Sequence, residues 1–251
     1  MGKVRNRSRE RAGKSESSWI KQGLARRAAQ SQAFAYRYVN PSHRIVLIDG
    51  NAGDGDGVSV PQADLFEGEI NSRPTPQILT ELADDLGAAD VILCERNKAK
   101  REKLMARFPR ATILSDHKDA SAHIRAEHCY ALWLSDPCGP KDHGIATMRA
   151  LSDNPRIRTD FVVILNEGFI DSRLRGTSDS MWATSRERYL RMVDPLWWAG
   201  ELRKTSVAYS RRIAQSQGFH FRLLIVANHL GDVARRKEFT IARAKPRLAG
   251  E

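Results

Sequence analysis

Short runs of apolar, often β-branched residues recur between residues 45 and 165, and segments with helical periodicity separate them. A strand that is buried on both faces of a parallel sheet is continuously apolar, as these runs are. The predicted strands are 45–48, 90–95, 111–116, 130–136 and 161–165. The predicted helices between them are 76–86, 98–108, 119–128 and 145–151. This alternation predicts a doubly wound, Rossmann-like α/β sheet within residues 44–251.

The N-terminal end of the chain adds a helix and a charged arm to this sheet. Residues 1–16 lack apolar periodicity, which predicts a disordered arm. A helix is predicted from Ser17 or Ser18 to about Tyr38 because a serine there can cap its first turn. A broken apolar stripe on this helix is formed by Ile20, Leu24, Ala28, Phe34 and Tyr38. Residues 17–43 are therefore expected to form a helical segment that packs this stripe on the sheet edge and turns its basic side chains outward.

The C-terminal third of the chain shows two further patterns. The aromatic-rich stretch 178–217 predicts a helical insertion whose aromatic side chains pack in a core; the alternative is a surface on which bases stack. Two apolar runs follow at 219–228 and 236–244, with a short glycine-containing loop between them. They predict a terminal β-hairpin, which would give the mostly parallel sheet an antiparallel edge.

The first predicted strand ends at Asp49 and continues into a turn that contains Gly50, Asn51, Gly53 and Gly55. The pattern is Asp-x-x-x-Gly-x-Gly, which differs from the Gly-x-Gly-x-x-Gly of dinucleotide sites, and no P-loop lysine follows it. Glycines allow backbone to approach a ligand closely. An acid beside them suits a cofactor with positive charge and no phosphate, such as S-adenosylmethionine (SAM). The alternative is a surface turn rich in glycine and aspartate.

Acidic residues also follow the next three predicted strands, at Glu95, Asp116 and Asp136. Ligands of doubly wound sheets bind at the carboxyl ends of the strands. Glu95 is expected to accept hydrogen bonds from the two ribose hydroxyls of the cofactor, and Asp116 is expected to meet the adenine amino group. Together with Asp49, these acids predict one cofactor site at a single edge of the sheet.

Composition and charge indicate a polyanionic partner. Of the 251 residues, 41% are hydrophobic, yet no apolar run approaches the ~18 residues of a membrane span, and none forms a signal-peptide core. The net charge is +11, and residues 1–43 contain ten basic and two acidic residues. We expect this basic arm to bind DNA or RNA; the alternative is a solubilising tail. Three cysteines at unrelated spacings indicate neither a disulfide framework nor a metal site, and they favour a reducing cytoplasm.

The order of these elements and acids resembles the class I SAM-dependent methyltransferases. More closely, the chain resembles the three-Cys-motif partner proteins, a bacterial group of methyltransferase-like sequences. The resemblance covers about residues 17–244, and the segments that carry it are 48–55, 136–139, 151–155, 163–166 and 218–244. The chain departs from the group at Cys138, where phenylalanine is usual, and at 51–55, where Phe-Ala-Gly-Pro-Gly is frequent. The resemblance implies SAM as cofactor and leaves a protein partner open.

The segment after the fourth strand resembles the Asp/Asn/Ser-Pro-Pro-aromatic motif of amino-directed base methyltransferases. In that motif the acid and a proline carbonyl accept hydrogen bonds from the target amino group, and the aromatic ring stacks on the flipped base. Asp136 and Pro137 match the motif, whereas Cys138 and the glycine after it do not. The stacking ring is then expected from elsewhere, for example from Phe169 or from the helical insertion.

A second interpretation makes Cys138 the nucleophile of a cytosine-5 methyltransferase, since Pro137-Cys138 resembles the Pro-Cys of that class. The thiolate would add to carbon 6 of the ring and make carbon 5 nucleophilic. Glu167, near the end of the fifth predicted strand, is the candidate proton donor. A third interpretation is transfer to a different class of methyl acceptor. A fourth is a non-catalytic SAM-binding fold that acts as a nucleic-acid-binding partner protein.

Overall fold

The computed structural model describes residues 16–55, 74–87, 89–124, 128–137, 143–168, 187, 190–210, 213–214 and 220–244. The predicted arm up to residue 15, the loop over 56–73, Cys138 and Phe169 lie outside the described residues.

The described residues form nine strands in one mixed sheet. These strands are β1 (Arg44–Asp49), β2 (Ala89–Cys94), β3 (Thr112–Leu114), β4 (Cys129–Ser135), β5 (Ile157–Asn166), β6 (Ser206–Ser210), β7 (Ile213–Ala214), β8 (His220–Ala227) and β9 (Phe239–Arg243). Their order is β3-β2-β1-β4-β5-β8-β6-β9, and the short β7 pairs with β8. Strands β1 to β5 are parallel, and β8, β6 and β9 continue the sheet by antiparallel pairing. The predicted Rossmann-like, mostly parallel sheet is confirmed.

Helices cover both faces of this sheet. They are α1 (Glu16–Val39), α2 (Thr75–Asp85), α3 (Lys98–Arg107), α4 (His117–Ile124), α5 (Ile145–Ser152) and α6 (Pro195–Glu201). Helices α1 to α3 pack on one face and α4 to α6 on the other, so successive residues of each central strand enter different cores. Ile45 and Leu47 lie under the first group, and Val46 and Ile48 lie under the second. Burial on both faces explains why the strand sequences are continuously apolar. In the described part of the chain, no helix has the length and apolar content that a membrane crossing requires.

Side chains cap two of these helices at their first turns. The Asn97 side chain accepts a hydrogen bond from the backbone N–H of Lys100 at 3.2 Å, where α3 begins. The Asp194 side chain accepts from the N–H of Leu196 at 2.9 Å, and Pro195 supplies the first residue of α6. Both arrangements satisfy backbone donors that have no partner inside the helix.

The C-terminal strands differ from the predicted hairpin. Strands β8 and β9 exist, but they do not pair with each other because β6 lies between them. The aromatic pattern predicts a helical insertion over 178–217; the described part of that stretch contains α6 but also β6 and β7. Ser206–Ser210 is too short to show a strand period clearly, and backbone pairing with two neighbours on the sheet decides its conformation. Trp198 of α6 is fully buried, in agreement with the prediction that aromatic residues of this stretch pack in a core.

The N-terminal helix lies on the middle of the sheet rather than on its edge. Helix α1 packs against β4, β5 and β8 through a stripe of small residues, among them Ala25, Ala29 and Ala33. Phe34 and Tyr38, which the apolar periodicity assigns to the packing face, are exposed. Alanines allow the helix to approach the sheet closely, so the close-packed face is the alanine face rather than the aromatic one.

Candidate cofactor and acceptor site

The turn after β1 lies where the strand order reverses, between β1 and β4. Asp49 is in register with Leu93 on β2 and Leu134 on β4, so the turn starts beside the ends of both neighbours. Backbone hydrogen bonds fix it there, from the Gly50 N–H to the Leu134 carbonyl at 2.9 Å and from the Ala52 N–H to the Cys94 carbonyl at 3.0 Å. Such a switch point is where doubly wound folds bind ligands.

Three glycines shape this turn for different reasons. A Cβ atom at Gly50 would lie 2.8 Å from Nε1 of the buried Trp133. Gly53 and Gly55 have φ angles of +67° and +68°, which side chains disfavour. At Gly55 a Cβ atom would also lie 2.8 Å from the Phe108 ring, whereas at Gly53 no atom lies within 4 Å. The turn is therefore specified by backbone conformation at Gly53 and by conformation and packing at Gly55.

This difference predicts unequal losses of stability in a matched pair of variants. Gly53→Ala should lower the free energy of unfolding by about 1 kcal/mol, because it imposes the positive φ alone. Gly55→Ala should lower it by about 2 to 4 kcal/mol, because the new methyl group also displaces Phe108 and Leu104. Urea unfolding of the two variants measures the difference, and equal losses would contradict this packing of Gly55.

A cavity of about 240 Å³ opens beside the turn, at the carboxyl ends of the parallel strands. Its lining residues are Gly50, Asn51, Gly53, Cys94, Glu95, Arg96, Lys100, Ser115, Asp116, His117, Asp136 and Pro137. Seven of these twelve residues are among the site residues that the sequence predicts. Asp49 and Gly55 lie outside the lining, behind the turn, and Cys138 lies outside the described residues.

Asp49 is completely buried. Its Oδ1 accepts the backbone N–H of Asn51 at 2.9 Å, which closes the turn, while its Oδ2 has no hydrogen-bond partner among the described residues. Burial raises the pKa of Asp49 to about 7; the Asn51 N–H and the Thr75 side chain oppose this effect, and the negative charges of Asp136 and Glu95 add to it. A carboxyl group in these surroundings is stabilised as an anion by a cation placed nearby.

Glu95 and Asp116 hold the loops that form one wall of the cavity. A Glu95 carboxylate oxygen accepts the N–H of Asn97 at 2.7 Å, and an Asp116 oxygen accepts the N–H of Lys118 at 2.9 Å. Burial tends to raise the pKa of Asp116, but the Lys118 N–H and the charges of His117 and Arg96 outweigh it and lower that pKa. Asp116 is therefore ionised at neutral pH.

Sequence reasoning missed several lining residues that adjoin the predicted acids. Arg96 Nε lies 3.6 Å from an Asp116 oxygen, and His117 Nδ1 lies 2.9 Å from the other one. Lys100 lies in the first turn of α3, and Ser115 follows β3. Their position in the sequence could have identified three of them, since Arg96, Ser115 and His117 each follow the end of a strand by one to three residues. Cys94 also lines the cavity, but burial raises the pKa of its thiol, which makes it a poor nucleophile.

A lysine of α1 occupies the predicted acceptor side of the site. The Lys21 ammonium lies 2.6 Å and 3.0 Å from the two carboxylate oxygens of Asp136. Both side chains are about five-sixths buried, at 17% and 16% exposed. Asp136 is therefore already paired with an ammonium group through both of its carboxylate oxygens. The sequence pattern contains no signal for this contact, because the two residues are 115 positions apart.

A buried hydrogen bond anchors the strand end that presents Asp136. The Ser135 hydroxyl lies 2.9 Å from Nδ1 of His143, and the His143 ring packs edge-on against Trp198 with ring centroids 5.2 Å apart. Both Ser135 and His143 are buried. The end of β4 is thus tied to the segment before α5 and to α6.

The structure weakens the cytosine-5 interpretation at Glu167. This residue is 2% exposed at its side chain, and its Oε1 lies 3.0 Å from Nε of Arg222. Arg222 in turn lies over the Tyr209 ring. A carboxylate enclosed beside a guanidinium is poorly placed to deliver a proton to a base in the cavity, and Glu167 is not part of the cavity lining.

No protein-family model matches the chain, and no curated protein matches it in sequence. Solved structures resemble it at low identity. Plantazolicin methyltransferase BpumL in complex with a pentazolic analog and SAH aligns at 14% identity over 88% of this chain and 89% of that one, with a TM-score of 0.42. Protein LPL1258 from Legionella pneumophila aligns at 12% identity over 88% and 95%, with a TM-score of 0.47. A TehB-like SAM-dependent methyltransferase from Corynebacterium glutamicum aligns at 12% identity over 80% and 88%, with a TM-score of 0.37. All three TM-scores are below 0.5, so the fold class follows from the strand order and register.

Proposed function

We propose that the protein is a SAM-dependent methyltransferase and that the cavity beside Asp49 binds SAM. The observation that carries this proposal is the convergence of four carboxyl groups and a glycine turn at the switch point of the sheet. Glu95, Asp116 and Asp136 line the cavity, and Asp49 lies behind the turn. A dinucleotide or a nucleoside triphosphate would bring several negative charges among three lining carboxylates, which outnumber the two lining cations, Arg96 and Lys100. SAM instead brings an ammonium and a sulfonium group.

The residues present fit this cofactor on two further points. Asp49 Oδ2 is buried without a hydrogen-bond partner among the described residues, and the Asp49 pKa near 7 falls when a cation approaches. The backbone at Gly50 and Gly53 lines the cavity without side chains, so a ligand can lie directly on it. When bound, SAM supplies an electrophilic methyl group. Asp49 acts by charge and by closing the turn, as a positioning residue.

We assign ribose binding to Glu95 and the adenine amino group to Asp116. Both acids follow neighbouring parallel strands, β2 and β3, and both residues line the cavity. The Asn97 N–H fixes one oxygen of Glu95, and the Lys118 N–H fixes one oxygen of Asp116. Glu95 keeps its second oxygen for the ribose, whereas both Asp116 oxygens already lie near cationic or ring nitrogens of Arg96 and His117, beside which the adenine amino group would have to fit.

On the acceptor side we assign Asp136 and the Pro137 carbonyl to orientation of an amino group. Asp136 holds the Lys21 ammonium with both oxygens, so its position suits an N–H donor. A substrate amino group would replace Lys21 there, and its nitrogen lone pair could then be aimed at the methyl group. The transfer needs no thiol, so Cys138 has no required part in it. Because Glu167 is paired with Arg222, amino-directed transfer is favoured over cytosine-5 transfer.

We further propose that the methyl acceptor is a nucleic-acid base. The N-terminal arm, residues 1–15, contains six basic side chains and one acidic one, and it precedes α1 directly. Lys21, which contacts Asp136, lies five residues after the first residue of α1. The distance along the helix axis from this contact to the end of the arm is therefore about 8 Å. A polyanion bound by the arm would therefore lie next to the acceptor side of the cavity.

The arm proposal predicts a salt-dependent affinity for nucleic acid. Each phosphate neutralised should contribute about 0.7 to 0.9 to the slope of log affinity against log salt concentration. Deletion of residues 2–15 should reduce the slope by the contribution of several phosphates, because that segment contains six basic side chains and one acidic one. Fluorescence anisotropy with a labelled DNA and a labelled RNA measures both slopes. An unchanged slope would identify the arm as a solubilising tail.

A non-catalytic SAM-binding protein that assists a protein partner is the second candidate function. The resemblance to the three-Cys-motif partner proteins favours it, and so does the Lys21–Asp136 pair, which fills the acceptor position. Incubation with methyl-labelled SAM and total DNA and RNA separates the two candidates. Label in nucleic acid supports the methyltransferase. SAM binding without any transfer supports the partner function.

A further inference from the structure

A second, larger cavity of about 540 Å³ lies at the opposite end of the sheet. Its wall includes Tyr130 near the start of β4, Asp160 near the start of β5, and Gln32 and Tyr36 of α1. Six residues of extended chain separate Tyr130 from Asp136, so the two cavities are about 20 Å apart. The second cavity has no part in the methyltransferase proposal.

Lys204 and Asp160 line this second cavity without pairing with each other, and the exposed Arg158 also lies in its lining. Lys204 is 7% exposed, and its ammonium donates to Thr159 Oγ1 at 2.8 Å. Asp160 Oδ2 accepts from the Tyr130 hydroxyl at 2.8 Å and from Gln32 Nε2 at 3.2 Å. Within the described residues no ion pair joins Lys204 to Asp160. The ammonium has two further N–H groups, and burial lowers the pKa of Lys204 although the negative charges of Asp160 and Asp153 oppose this effect, so a bound anion would stabilise its charged form.

Gln32 presents a buried acceptor without a donor. The residue is 2% exposed, and its Nε2 donates to Asp160 Oδ2 and to the His229 carbonyl at 3.0 Å. Both partners accept hydrogen bonds, so the amide nitrogen of Gln32 must face them. The amide oxygen, Oε1, therefore points away from both partners. Oε1 has no hydrogen-bond partner among the described residues. An unsatisfied buried acceptor costs about 1 to 3 kcal/mol, so the Gln32 amide is held beside Asp160 at a cost in stability.

We propose that this cavity binds a free α-amino acid. The ammonium group of the ligand would pair with Asp160, beside the Gln32 amide, and its carboxylate would pair with Lys204. A zwitterion satisfies both of these charges at once, which a simple anion or cation does not. Burial raises the pKa of Asp160 to about 6 against the effects of Tyr130 and Lys204, so this carboxyl is largely ionised at neutral pH. The cavity volume also leaves room for an amino-acid side chain beside Tyr36.

Binding of the standard L-amino acids, each added alone to the full-length protein at neutral pH, tests this inference. Saturation-transfer NMR and calorimetry should find at least one that binds with a Kd of about 1 mM or lower. Lys204→Met and Gln32→Met should each weaken it by about tenfold or more. The matched controls Lys237→Met and Gln77→Met should leave the affinity unchanged, since both residues lie outside the cavity lining.

A third variant keeps the test decisive if a buried substitution prevents folding. Ala35 lies on the cavity wall and is partly exposed, so Ala35→Phe fills the space without removing a buried polar group. This variant should abolish binding while retaining the thermal stability of the wild type. Failure of every amino acid to bind the wild-type protein would overturn the proposal. So would binding that survives both Ala35→Phe and whichever polar variant folds.

Discussion

Replacement of Asp136 by alanine is expected to lower methyl transfer by roughly 100-fold or more, which corresponds to about 3 kcal/mol of transition-state stabilisation. The affinity for SAM should fall much less than the rate of transfer, because Asp136 is one of several acids that line the cavity but the one assigned to the acceptor. The reason is orientation: without the carboxylate, the acceptor amino group loses the contact that aims its lone pair at the methyl group. Radiolabel transfer to nucleic acid measures the loss, and calorimetry measures the SAM affinity of the same variant.

Two matched variants identify the role of Asp136. Cys138→Ser should retain most activity, since amino-directed transfer uses no thiolate, whereas cytosine-5 transfer would stop. Lys21→Met should also retain activity, because it removes only the ammonium that an acceptor would have to displace. If Lys21→Met loses as much activity as Asp136→Ala, the ion pair itself is required, and acceptor orientation by Asp136 is contradicted.

Replacement of Asp49 by asparagine is expected to stabilise the protein above neutral pH. The pKa of this buried carboxyl is about 7 in the folded chain and 3.8 without the fold. Because the folded pKa is the higher one, the wild type loses stability as pH rises from about 4 to 7, by about 4 kcal/mol in total. Asparagine keeps the acceptor for the Asn51 N–H and removes the charge, so the Asp49→Asn variant avoids that loss. Urea unfolding of both proteins between pH 4 and 8 measures the difference.

The same substitution should weaken SAM binding by about tenfold or more, since a negative charge near the ammonium and sulfonium is lost. Wild-type affinity should rise with pH up to about 7, because Asp49 must ionise to attract the cation. The SAM affinity of Asp49→Asn should not show this rise with pH, because asparagine does not ionise. If Asp49→Asn is more stable than the wild type and binds SAM more weakly, the Asp49 carboxylate lowers the stability of the fold but is needed for cofactor binding. A variant with unchanged SAM affinity would leave Asp49 as a turn residue alone.

The site residues that could be predicted are those whose signal is local. Asp49, Glu95, Asp116 and Asp136 each end an apolar run, and the runs are recognisable because both faces of the central strands are buried. Parallel strands place their carboxyl ends together, so four separate local signals combine into one site.

The features that could not be predicted depend on contacts between distant parts of the chain. Lys21 reaches Asp136 because α1 crosses the sheet on its alanine face, and the aromatic periodicity of that helix indicates another face. Strand β6 separates β8 from β9, which no pattern within its five residues could indicate. The cluster around Gln32 and Asp160 likewise joins residues 128 positions apart.

Calorimetric titration of the wild-type protein with SAM, with Glu95→Gln as the companion variant, tests the cofactor site most directly. The proposal predicts binding in the micromolar range, or about −8 kcal/mol. It also predicts roughly tenfold weaker binding by Glu95→Gln, which loses a charged acceptor for the ribose hydroxyls. Absence of both heat and thermal stabilisation when SAM or its demethylated product is added to the wild type would contradict the assignment of the cavity as a SAM site.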